Sequence, residues 1–138
     1  MKISVIDGSN YFKGLLLLIR MDKEVRHPEI ALMKTIGKTL GFEKEFCDDA
    51  IRDILENKFI SDEHPRFSSK EIALRFIRDG LSLAFSDDEL HPSEKQWLKR
   101  IADRNGIEPI AFQQELENAV SRKKPPDRLE IDDLSIQF

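Results

Sequence analysis

Asp87-Asp88-Glu89-Leu90-His91-Pro92-Ser93-Glu94 decides how this chain folds, because a counterpart lies 65 positions earlier as Asp22-Lys23-Glu24-Val25-Arg26-His27-Pro28-Glu29. In both copies an apolar, helix-spaced segment precedes the acidic turn and another follows it. Sliding the whole sequence by the same offset pairs Leu16 with Leu81, Leu18 with Leu83, Lys34 with Lys99, Ile36 with Ile101, Gly41 with Gly106 and Glu43 with Glu108. Two helical segments match loosely at apolar positions by chance. Registering the acidic turn and a terminal glycine as well requires a repeated unit. The expected fold is therefore all-α: a bundle of about six helices built from two three-helix repeats related by pseudo-two-fold symmetry. Repeat one covers about residues 11–58 and repeat two about 69–122 within a single domain of residues 1–138, with an extended C-terminal tail over 125–138.

Outward from the turns, helical periodicity predicts segments near 11–20, 27–40, 43–58, 69–86, 92–105 and 109–122. Met1 to Ile6 reads as a short strand or arm, and Asp7-Gly8-Ser9-Asn10 as a turn that caps the first helix. The first helix is apolar on more than one face and is expected to be central. Gly41 and Gly106 suit the left-handed position that closes a helix. Asp62-Glu63-His64-Pro65 provides a turn between the halves, and Pro125-Pro126 stops the last helix. Trp97, Leu98 and Ile101 are expected inward on the fifth helix, and Phe112, Leu116, Ala119 and Val120 on the sixth. Leu129, Ile131, Leu134, Ile136 and Phe138 predict a tail docked on the bundle, since exposing all five is unfavourable.

The bulk properties narrow the function. A net charge of −4 and a pI near 5.4 oppose general nucleic-acid binding, which needs a basic surface. The basic run Arg122-Lys123-Lys124 sits at a helix end, where the helix dipole favours it. A single cysteine, Cys47, rules out an internal disulfide and a thiolate metal cluster, and its place on an apolar stripe marks it as a core residue. Leu15 to Ile19 is far too short an apolar run for a membrane span, and no export signal opens the sequence, so a cytoplasmic location is expected. Glycine-rich phosphate loops, nucleophile elbows and di-iron motifs are absent from the sequence, so no enzyme is expected. His27, His64 and His91 read as turn residues.

The acidic turns support two readings. In the structural one, Pro28 and Pro92 occupy the first helical turn, and Glu29 and Glu94 are capping-box acids reaching back to the preceding backbone. In the functional one, the clustered carboxylates hold a divalent cation, which calls for several oxygens held close together. An EF-hand is excluded: counting from Asp87, the glycine and glutamate it needs are replaced by Pro92 and Leu98.

The succession of apolar helix, acidic turn, glutamate in the next helical turn and closing glycine, best seen from Leu81 to Gly106, resembles the TerB-like family, named for a tellurite-resistance protein. The resemblance covers roughly Phe12 to Val120. It implies an all-helical fold with an internal duplication. It also implies a non-enzymatic role as a protein-interaction component of a stress-response or envelope-associated system, with a protein partner and attachment to a peripheral membrane complex. The alternative it implies is a cation-binding stress protein, with metal ligands Asp22, Glu24, Glu29, Asp87, Glu89 and Glu94 and a divalent cation as the sole cofactor. Where the family usually has glycine after the aspartate of the turn, this chain has Lys23 and Asp88. Where the family has serine before the helix, it has Arg26 and His91.

Overall fold

The computed structural model describes residues 1–21, 27–56, 64–85, 90–122 and 129–138. These form six α-helices: α1 (Val5–Met21), α2 (His27–Leu40), α3 (Lys44–Glu56), α4 (Lys70–Ala84), α5 (Pro92–Arg104) and α6 (Pro109–Ser121). A short strand β1 (Lys2–Ile3) runs parallel to β2 (Ser135–Ile136), and a 3-10 turn at Glu130–Asp133 leads into β2. The fold is all-α. Helix starts keep the 65-residue offset of the sequence: Val5 with Lys70, His27 with Pro92, Lys44 with Pro109. Contacts divide the chain into one unit of residues 1–63 and 131–138 and a second of residues 64–130. The expected turn at Asp62-Glu63 and the stop at Pro125-Pro126 lie outside the described residues.

In the first unit, α1 packs on α2 and α3, and the tail adds to both α1 and α2. Tyr11, Phe12, Leu15, Leu16, Leu18 and Ile19 are all buried, so α1 is covered on more than one face. Phe42 and Phe46 stack at 4.5 Å, and Phe12 lies 5.9 Å from Phe42. Burial raises the pKa of the Cys47 thiol, with the neighbouring Asp48 adding to the effect, which fits the expected inert core residue.

The start of α1 differs from the sequence reading. Asp7 to Asn10 is helix, not a turn, because Ser4 caps it: its Oγ accepts from the Asp7 N–H at 3.1 Å, and its carbonyl accepts from Gly8 at 2.9 Å. Glycine, a poor helix former, stands at position 8 for a distant reason. Any Cβ there would collide with the side chain of Ile136 from the docked tail. The tail itself buries Ile131, Leu134 and Ile136 and leaves Phe138 exposed. Met1 and Ile3 carbonyls accept from Ser135 and Gln137 N–H groups at 3.0 and 2.8 Å.

In the second unit, α4 contacts both α5 and α6. Ser69 caps α4, its Oγ accepting from Ile72 N–H at 3.2 Å. Phe76 lies between Phe67 and Trp97, at 5.3 and 6.3 Å. Asn105 pins the segment before α4: its Nδ2 donates to the Pro65 carbonyl at 3.0 Å, and its Oδ1 accepts from Phe67 N–H at 2.8 Å. Phe112, Leu116 and Ala119 face inward on α6, but Val120 is 63% exposed. It falls a further 100° round the helix from Ala119, outside the buried stripe. Gly41 and Gly106 take positive φ of 100° and 75°, so both helices of this type close as the sequence indicates.

Candidate functional site

Each acidic turn ends in a glutamate three residues into a helix, Glu29 in α2 and Glu94 in α5. Glu94 is 4% exposed, and its Oε1 accepts from the His91 N–H at 3.4 Å. That is the reach-back half of a capping box, worth about 1 kcal/mol as a helix cap. Glu29 is half-buried in the first turn of α2. Asp22, Glu24, Asp87 and Glu89 lie outside the described residues. Among the described residues, no three His, Cys, Asp or Glu side chains converge on a point where a metal ion could sit. The Glu94 carboxylate is already engaged with backbone.

A polar cleft of about 470 Å³ opens in the second unit between α4, α6 and the 3-10 turn, with Arg78, Asp79, Glu115 and Glu130 in its walls. Arg78 pairs with both Glu115 and Glu130, and Arg122 also lines the cleft. Arg78 donates to Glu115 through Nε and Nη2, both at 3.1 Å, and through Nη1 to Glu130 at 3.3 Å. Arg75 reaches the same Glu130 at 3.4 Å. The hydrogen bonds that Arg78 donates to Glu115 are the main cause that raises its pKa, with the nearby charge of Glu130 adding to it. Asp79, 1% exposed, accepts from the Glu130 N–H at 2.6 Å. This arrangement anchors the chain at Glu130, where it leaves the second unit. Sequence reading missed it because the partners lie 37 to 55 residues apart. The one local signal is an aspartate set among Phe76, Ile77 and Leu81 on the apolar side of α4.

Two helices carry mostly one sign of exposed charge, α5 basic and α3 acidic. On α5, Lys95, Lys99, Arg100 and Arg104 are exposed, with Asp103 as the sole exposed acid of that helix. On α3, Glu45, Asp49, Asp53 and Glu56 are exposed, and Arg52 pairs with Asp49 at 2.8 Å and with Asp53 at 4.0 Å. Among the described residues, none of the four α5 cations forms an ion pair. Lys95/Lys99, Arg100/Arg104, Glu45/Asp49 and Asp49/Asp53 are like-charge pairs four apart, each weakening its own helix by roughly 0.2–0.5 kcal/mol. The helix dipole offsets part of this at Arg104 and Glu45, and Arg52 offsets it at Asp49 and Asp53, which leaves Lys95 and Lys99 without such an offset.

No described helix is long and apolar enough to cross a membrane. Comparison with curated proteins and with solved structures gives no match. The family described as Tellurite resistance protein TerB matches residues 12–116, which take in α2 to α5 whole and most of α1 and α6. The six helices, the acidic turns and that match together place this chain in the TerB family.

Proposed function

We propose that this TerB-family chain is a non-enzymatic, cytoplasmic interaction module whose charged helix faces bind a protein partner in a stress-response or envelope-associated system. The observation that supports this reading is the predominance of one sign of exposed charge on each of α3 and α5, with no described ion partner for the α5 cations. Affinity capture with the full chain and with Lys95→Gln/Lys99→Gln/Arg100→Gln/Arg104→Gln tests the reading. A defined partner retained by the native chain, released by added salt and lost with the variant is the expected result. An identical set of captured proteins for both chains overturns it.

The second reading is a divalent-cation site drawn from Asp22, Glu24, Glu29, Asp87, Glu89 and Glu94, supported by the crowding of carboxylates in the two turns. A cation that binds only the folded chain raises its melting temperature by mass action. After chelator treatment, millimolar calcium, magnesium, manganese or zinc should raise melting in the native chain and not in Asp87→Asn/Glu89→Gln. No shift with any of the four ions removes this reading.

A further inference from the structure

We infer that Glu130 is a catch: the second unit holds this residue and thereby controls whether segment 131–138 stays docked on the first unit. The segment is a light strap. It buries Ile131, Leu134 and Ile136 and pairs with β1 over two residues, while Asp132, Asp133, Ser135, Gln137 and Phe138 are exposed. Beneath it α1, α2 and α3 all pack on one another, so the strap can leave while the three helices stay together.

The catch has two parts. The Glu130 N–H donates to the Asp79 carboxylate at 2.6 Å, and Asp79 is 1% exposed. The Glu130 carboxylate accepts from Arg75 and Arg78 at 3.4 and 3.3 Å, with the three side chains 21 to 39% exposed. The first part is sealed inside the unit, and the second lies where water and ions reach it. Ile131, fully buried in the first unit, is the next residue. A closed catch therefore presents the strap with its near end already placed, and docking has only the strap itself to order. An open catch lengthens the tether towards Arg122 at the end of α6, about nine positions before Ile131. Effective concentration falls with roughly the −3/2 power of tether length, so opening the catch should favour undocking by roughly tenfold or more. Undocking bares the surface around Ile3 and Gly8 that Ile136 covers. An ionic contact in one unit thus sets access to an apolar surface on the other.

Hydrogen exchange in the full chain tests this at three amides. The Ser135 and Gln137 N–H groups, bonded to the Met1 and Ile3 carbonyls, report the strap, and the Glu130 N–H reports the catch. Glu130→Ala should speed exchange at Ser135 and Gln137 several-fold. Asp79→Ala/Glu130→Ala should do so roughly tenfold or more, with Leu98 and Ile101 in α5 still protected. Sodium chloride should speed both strap amides in the native chain, by screening the carboxylate from its arginines, and leave them unchanged in Glu130→Ala. Coupling is reciprocal, so Ile136→Ala should in turn speed exchange at the Glu130 amide. Asn105→Ala unties Pro65 and Phe67 without touching Glu130, and should leave Ser135 and Gln137 at their native rates. Native rates at those two amides in Glu130→Ala overturn the inference. Equal speeding by Asn105→Ala also overturns it, because that marks a general loosening of the second unit, as does a Glu130 amide indifferent to Ile136→Ala. If the double variant unfolds α4 to α6, Glu130→Ala alone decides.

Discussion

The two three-helix units solve the same problem by different means. The first is completed by an apolar segment from far along the chain, with Ile131, Leu134 and Ile136 buried beside α1 and α2. The second is contiguous in sequence and is tied by polar pins: Asn105 on Pro65 and Phe67, Asp79 on the Glu130 backbone, and Arg78 on Glu115 and Glu130. Helices of 13 to 17 residues in a group of three offer a limited apolar area. One unit enlarges its core, and the other fixes the segments that border it.

Removing residues 131–138 should break the comparison most severely. Three buried side chains at about 1.5–3 kcal/mol each put the loss at roughly 4.5–9 kcal/mol, an upper range because the unfolded chain already buries part of that surface. Hydrogen exchange should show the greatest loss of protection at α1 and β1, and equal loss across α4 to α6 would contradict the assignment of the tail to the first unit. In the second unit, Asp79→Ala leaves the Glu130 N–H without this acceptor and should cost about 2 kcal/mol in chemical unfolding, whereas Asp79→Asn keeps an acceptor oxygen and should cost less. Equal losses for the two variants would show that the hydrogen bond is not what matters.

The smallest effect concerns Cys47. Its raised thiol pKa means that the folded chain holds the proton more tightly than the unfolded one. The resulting stabilisation is fully present below the unfolded value of about 8.5 and is lost as pH rises through the higher folded value. Cys47→Ser should flatten that alkaline decline. At pH 8 the native thiol should react with an alkylating reagent roughly tenfold or more slowly than in denaturant.

Local signals were legible and distant ones were not. Pro92, Glu94, Ser69, Gly41 and Gly106 act within one helical turn, so the sequence alone located α2, α4 and α5 closely. The family resemblance rested on the same short-range features, and the match over residues 12–116 agrees with it. Asp7-Gly8-Ser9-Asn10 misled because its turn-forming residues hid the cap at Ser4, which starts the helix earlier. The need for glycine at position 8 comes from the Ile136 side chain, 128 residues away. Val120 shows the limit of apolar character as a guide, since a single step round α6 carries it out of the buried stripe. The Arg78 cleft was invisible for want of any signal joining residue 78 to residues 115 and 130. Of the six proposed ligands, the described residues include Glu29 and Glu94 alone, and Glu94 serves as the cap its position indicated.

The parallel pairing of β1 with β2 sets a timetable for synthesis. Residues 64–130 are made as one run, so the second unit can assemble as soon as it leaves the ribosome. The first unit is made earlier yet lacks its last strand until residue 136 emerges. At 5–20 residues per second, the roughly 75 residues between α3 and Ile131 hold the seam beside Gly8 and Ile3 open for about 4–15 s. Of the two units, the one that is made first is the one that is finished last.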